Sequence, residues 1–124
     1  ESAPIHATLD GTIHSFQNNT ALGDYGPTII LEHEVESIKF HTLYGHLSEA
    51  SLISKKVGDI VKKGEQIATL GLPPINGDYA PHLHFQIIID MEGKTGDYPG
   101  VCSEKMLLFY KSNCPDPNFL LKII

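Results

Sequence analysis

The sequence predicts an all-β domain, a sandwich or barrel of short antiparallel strands, with one short helix near its C-terminus. Three observations predict it. Runs rich in Ile, Val, Thr, Tyr and Phe recur along the chain, each bounded by Gly, Pro, Asn or Asp. No long stretch carries the period of an amphipathic helix or a heptad, and no repeat of solenoid length is present. The apolar run from Leu83 to Ile89 follows Pro81 and is dominated by β-branched and aromatic residues, which suits a strand.

Taken in order, Ile5 to Phe16 reads as an Asp10-Gly11 turn followed by a strand over Thr12–Phe16. Thr28 to Glu34 is strand-like, and Glu36-Ser37 turns it into a second strand from Ile38 to Leu47. Ser48 to Ser54 forms a turn or short helical segment. Val57 to Gly71 reads as strand, Gly64 turn, strand. The Pro73-Pro74-Ile75-Asn76-Gly77-Asp78 stretch is a loop, and it leads into the histidine-bearing strand. A second loop spans Gly93 to Gly100, and Ser103 to Ser112 predicts a helix with Ser103 as N-cap. The tail from Pro115 to Ile124 runs over the surface.

Composition narrows the function classes. A chain of 124 residues that is 41% hydrophobic can bury one ordinary core. We therefore expect residues 1–124 to form a single domain, with 91–124 as a C-terminal extension. A net charge of −6 argues against nucleic acid as a partner. No run of about 18 apolar residues is present, which predicts no membrane-spanning helix. Cys102 and Cys114 lack the paired spacing of a zinc knuckle; they suit two thiols, or one disulfide in an exported protein. The chain begins at Glu1 and not at Met, as expected of a piece of a larger protein.

The chemistry is concentrated in His82-Leu83-His84-Phe85. Strand alternation puts His82 and His84 on one face and Leu83, Phe85 and Ile87 on the other. Two imidazoles about 6.6 Å apart along a strand can reach one metal ion or one substrate. A core strand gains nothing from burying two unpaired imidazoles. Thr42-Leu43-Tyr44-Gly45-His46-Leu47 supplies a second element, in which alternation aligns Tyr44 with His46. Three histidines and a tyrosine make a metal-hydrolase constellation. His14 and His33 read as strand histidines, and alternation turns His41 away from His46. Lys55, Lys56, Lys62 and Lys63 read as a solvated face. Asn18-Asn19-Thr20, a formal glycosylation acceptor, reads as a loop.

These residues resemble the lysostaphin-type zinc metallopeptidases, which cut peptide cross-links in bacterial cell walls. His82-Leu83-His84 is similar to their H-x-H element. Four further blocks follow the family's order: Ala7–Ile13 is similar to "A-x-x-D-G-x-V", Tyr25–His33 to "G-Y-G-x-x-V-x-I-x-H", Leu43–Leu47 to "x-Y-x-H-L", and Val57–Ile67 to "V-x-x-G-x-x-V-x-x-G-Q-x-I".

The resemblance implies a barrel-sandwich hybrid (a duplicated hybrid motif) with a groove over one sheet. It implies a zinc ion held by His84 and by the His and Asp of an upstream H-x-x-x-D motif. His46 and His82 become the catalytic pair that positions water and stabilises the oxyanion, and Tyr44 lines the substrate groove. The substrate implied is a peptide of the peptidoglycan kind. His6-Ala7-Thr8-Leu9-Asp10 matches H-x-x-x-D formally, but it falls in the strand that follows the motif's place. The missing ligands are therefore expected upstream of Glu1, and this chain alone is expected to hold zinc weakly and to be inactive.

Gly96–Ser103 and Cys114–Asn118 resemble a narrower version of the domain, fused to a phosphotransferase and a class III aminotransferase. That version implies a cytoplasmic parent, neighbouring domains of the same polypeptide and a binding or regulatory role; the cell-wall reading implies export to the envelope. Two rival families stay open. The Val57–Leu70 stretch is similar to the hairpin of lipoyl and biotinyl carriers, although Lys94 lacks the context of a modified lysine. A phosphocarrier of the sugar phosphotransferase system also uses a histidine pair. Neither rival needs a metal.

Overall fold

The computed structural model describes residues 3–21, 23–100 and 103–118. The strands are β1 (Pro4–His6), β2 (Gly11–Asn19), β3 (Gly26–Val35), β4 (Ile38–Gly45), β5 (Ile60–Val61), β6 (Gln66–Thr69) and β7 (His84–Ile88). They form two antiparallel sheets, one of order β5-β2-β3-β4-β7 and one pairing β1 with β6. Neither sheet closes into a barrel. One short helix, α1 (Leu107–Asn113), follows a 3-10 turn over Glu104–Met106. The all-β sandwich with a short C-terminal helix is the observed architecture.

Local chemistry explains the principal hairpin. Val35 pairs with Ile38, leaving Glu36 and Ser37 as a two-residue turn with φ of 50° and 69°. Positive φ at both central residues matches the right-handed twist of the flanking strands.

The larger sheet is buried on both faces, and strand alternation sorts its side chains between two cores. Ile29, Leu31 and Tyr44 face the smaller sheet, where they meet Ala7, Ile67 and Ala68. Ile30, Leu43 and Ile88 face the opposite way and pack with Tyr25, Met91 and Tyr98. Met91, Tyr98, Tyr110 and Cys114 therefore cover the second face of the sheet. Asn113 ties this layer to the end of β7: its carbonyl accepts the Ile89 N–H at 2.8 Å, and its Oδ1 accepts the Asp90 N–H at 2.7 Å.

Three sequence expectations change. Val57–Gly71 is not a hairpin, because β5 pairs with β2 while β6 pairs with β1. This pairing buries Val61, Ile67 and Ala68 in one core with Ala7 and Ile13, and the Gly64 turn becomes a corner between sheets. Ser103 does not cap the α-helix with its side chain. Its carbonyl accepts the Met106 N–H at 3.1 Å, and Met106 holds the N-cap position of α1. Asn18 and Asn19 lie within β2 and not in a loop. The expectations for Cys102 and for the tail beyond Asn118 lie outside the described residues.

Candidate active site

Three elements bring the histidines together at one end of the larger sheet. His84 opens the edge strand β7 opposite Gly45. His46 follows the end of β4 with φ of 62°. His82 lies two residues ahead of β7 and not within the strand. The ring centroid of His46 is 4.5 Å from that of His82 and 6.0 Å from that of His84.

Each imidazole has one nitrogen committed to a neighbour. His46 Nδ1–H donates to the Asn76 carbonyl at 2.6 Å, and His82 Nδ1–H donates to the Ala80 carbonyl at 2.8 Å. A carbonyl can only accept, so Nε2 of both rings is left to face other groups. For His84 the order reverses. Gln86 gives its amide N–H groups to the Pro99 carbonyl at 3.0 Å and to Cys114 Sγ at 3.3 Å. Its Oε1 therefore accepts from His84 Nε2–H at 3.0 Å, leaving Nδ1 with the lone pair a metal requires. Burial of His46 holds its pKa below the ordinary imidazole value; the bond to Asn76 opposes this, and the neighbouring His82 and His84 reinforce it.

The histidines line a groove of about 810 Å³, within the range of small-ligand sites. Tyr25 packs its ring 4.6 Å from that of His84, and its hydroxyl donates to the Tyr98 carbonyl at 2.8 Å. Tyr79 packs 4.7 Å from His46 and is fixed through its hydroxyl to the Gly23 carbonyl at 2.8 Å. The stretch from Gly93 to Gly100 forms a wall of the groove and carries Lys94 and Asp97. Burial raises the Asp97 carboxyl above the ordinary carboxylate range, and the charge of Asp24 adds to the effect.

The structure corrects the placement of Tyr44. Its ring is 1% exposed, lies in the core between the sheets and packs 5.3 Å from Phe85. Strand alternation aligns residues 44 and 46 only while the backbone stays extended. The left-handed backbone at His46 breaks it, so His46 turns into the groove and Leu47 joins Tyr44 in the core. Sequence reading also missed Tyr25, Tyr79, Asn76 and the two aspartates. Asn76 shows no catalytic pattern, and only the Pro-Pro-x-Asn-Gly turn composition marks its segment as special.

His6 and Asp10 do not line the groove. His6 is exposed on β1, and Asp10 Oδ1 accepts the Lys63 N–H at 2.7 Å. Among the described residues, no three ligand atoms of the groove lie within 4.8 Å of one another. The groove therefore offers one oriented ligand nitrogen and two flanking imidazoles, and not a closed three-ligand set.

An open two-sheet fold with a histidine-lined groove defines a metallopeptidase-like domain. The chain belongs to peptidase family M23, whose match spans residues 1–97; members of this family are generally zinc-dependent. It is 37% identical over 90 residues to an uncharacterized metalloprotease of Haemophilus influenzae, covering 73% of this chain but 17% of that protein. The catalytic domain of the antimicrobial peptidase lysostaphin from Staphylococcus simulans is similar in structure. It has a TM-score of 0.62 at 27% identity, over 98% of this chain and 71% of that one. The catalytic domain of a mutant of the prophage-encoded M23 protein EnpA from Enterococcus faecalis shares the fold, with a TM-score of 0.56 at 23% identity over 81% of this chain and 72% of that one.

Proposed function

We propose that this domain belongs to a zinc-dependent endopeptidase that hydrolyses amide bonds in peptides of the cell-wall cross-link class. The observation that carries this reading is the set of oriented nitrogens: His84 directs Nδ1, and His46 and His82 direct Nε2, away from their fixed partners. In this reading His84 Nδ1 is a zinc ligand, joined by ligands from outside the described residues. Zinc, when bound, supplies Lewis acidity and lowers the pKa of its water.

The chain's own residues orient and transfer protons. His46, kept neutral by burial, holds a lone pair on Nε2 that can accept a proton and return it to a leaving amine. His82 has its Nδ1–H committed to the Ala80 carbonyl, so it serves a developing oxyanion from Nε2–H as the imidazolium, the form in which both ring nitrogens donate. Tyr25 and Tyr79 wall the groove and hold the imidazoles by ring contact. A cell-wall substrate would place the parent protein in the envelope.

In the full-length protein, His84→Ala should remove one zinc equivalent together with turnover of a cross-linked peptide. His82→Ala and His46→Ala should keep that zinc and lose about 10²- to 10⁴-fold in kcat. Hydrolysis by His84→Ala at the wild-type rate would overturn the assignment. Full zinc occupancy with no hydrolysis of any peptide would favour the binding or regulatory alternative.

A further inference from the structure

A second cluster of metal-ligating side chains lies on the larger sheet, outside the groove. His14, Glu32 and His41 come from the neighbouring strands β2, β3 and β4, and one ligand atom from each lies within 4.8 Å of the other two. His41 lies four residue steps along β4 from Gly45, about 13 Å of strand, so one ion cannot serve both places.

A break in register creates the cluster. Strand β2 pairs Ile13 with Leu31 and then Ser15 with Ile30, which makes His14 the extra residue of a bulge. Bulges re-aim a side chain. Here the His14 ring meets the His41 ring edge-on, with centroids 5.0 Å apart. His41 is 6% exposed and oriented by its neighbours. Its Nδ1–H donates to the Ile88 carbonyl at 3.3 Å, and its Nε2 lies 3.2 Å from Glu32 Oε1. With the backbone carbonyl orienting the ring through Nδ1–H, Nε2 faces the Glu32 carboxylate and is the nitrogen an ion would take in place of that contact. His14 Nδ1 lies 2.8 Å from Ser15 Oγ, which is itself fixed by the Gly96 N–H at 2.8 Å. The Glu32 side chain is 31% exposed and gives an ion a route in from solvent.

We propose that His14, Glu32 and His41 form a second divalent-cation site of the zinc class, separate from the groove. Two imidazoles and one carboxylate suit zinc, whereas calcium and magnesium take oxygen sets. The ion would join three adjacent strands and pin the bulge in β2. Since the three ligands converge only in the folded chain, binding stabilises the fold by mass action. The Lys39 ammonium, 3.7 Å from Glu32 Oε2, opposes the cation.

The test uses zinc chloride with the 124-residue chain carrying His84→Ala, which removes the groove ligand. Histidine ring nitrogen resonances and Tm are followed together. The rings of His14 and His41 should shift in concert as zinc is added, Tm should rise, and magnesium at the same concentration should do neither. Because His41 is buried, the decisive variants are Glu32→Gln and His14→Ala, each of which should weaken zinc binding more than about tenfold. Zinc uptake with both rings unmoved, unchanged affinity in Glu32→Gln, or no uptake at all overturns the proposal. The His84→Ala background keeps this result independent of whether the groove is a working peptidase.

Discussion

His46 is held by Asn76 across 30 residues of sequence, through a 2.6 Å hydrogen bond from Nδ1–H to a backbone carbonyl. Asn76 is itself fully buried. Its Oδ1 accepts the N–H groups of Asp78 and Tyr79, each at 3.1 Å. Its Nδ2 donates to the carbonyls of Gly71 at 3.3 Å and Tyr79 at 2.8 Å. One side chain thus closes the 71–79 loop and sets the direction in which the His46 lone pair points.

Asn76→Ala should lower the unfolding free energy by about 3 kcal/mol, since buried partners lose their bonds. The His46 ring resonances should broaden or move as its acceptor loosens. Urea unfolding and ring nitrogen NMR check both, and a variant as stable as wild type would remove Asn76 from this role.

Gly77 tests the same loop through the backbone. Its φ is +95°, and a Cβ there would lie 2.0 Å from the Asp24 carbonyl oxygen. Gly58 has a similar φ of +93° with nothing within 4 Å. Gly58→Ala should cost only the left-handed backbone penalty of about 1–2 kcal/mol. Gly77→Ala should cost clearly more, because the clash falls on main chain. Equal Tm losses for the two would contradict the close approach.

Tyr44→Phe separates a core role from a groove role. The hydroxyl lies 3.1 Å from Thr8 Oγ1 and 3.2 Å from Thr42 Oγ1. Removing it should cost about 1 kcal/mol of stability. Peptide turnover by the full-length protein should not change, and a large loss of kcat would return Tyr44 to the groove.

His33 supplies a pH dependence. It is 1% exposed, with Nδ1–H donating to the Asp10 carbonyl at 2.8 Å and Nε2 lying 2.7 Å from Thr42 Oγ1. Burial holds its pKa below the ordinary 6.5; the Asp10 bond and the charges of Asp10 and Glu32 oppose this, while His41 reinforces it. The unfolded chain therefore takes up the proton first. Stability from this group is complete above about pH 6.5 and is lost as pH falls towards the lowered folded value. The urea midpoint should fall between pH 7.5 and 5.5, and less steeply in His33→Gln. Some slope should remain, because His14 and His46 are lowered in the same direction. An unchanged slope in His33→Gln would exclude His33 as a source.

Strands β2, β3, β4 and β7 were legible because local features specify them: alternating or continuous apolar runs, β-branched residues and bounding turns. Ile38–Gly45 ends two residues short of the expected strand because His46 is left-handed. No residue type at that position announces such a bend. Partner choice was also hidden: β5 and β6 look like a hairpin, yet they pair with β2 and β1. Short strands carry too little information to choose among neighbours until both sheets exist.

By itself, the order of the residues determined the all-β class, the family blocks and the candidate histidines His46, His82 and His84. Those depend on propensity, period and spacing, which are properties of neighbouring residues. Only the tertiary structure decided which ring nitrogen each histidine leaves open, because Asn76, Ala80 and Gln86 are brought to those rings by folding. It also decided that Tyr44 belongs to the core and that a bulge brings His14 to Glu32 and His41. Convergence of residues from separate strands follows from register and burial, and neither is a property of any local stretch.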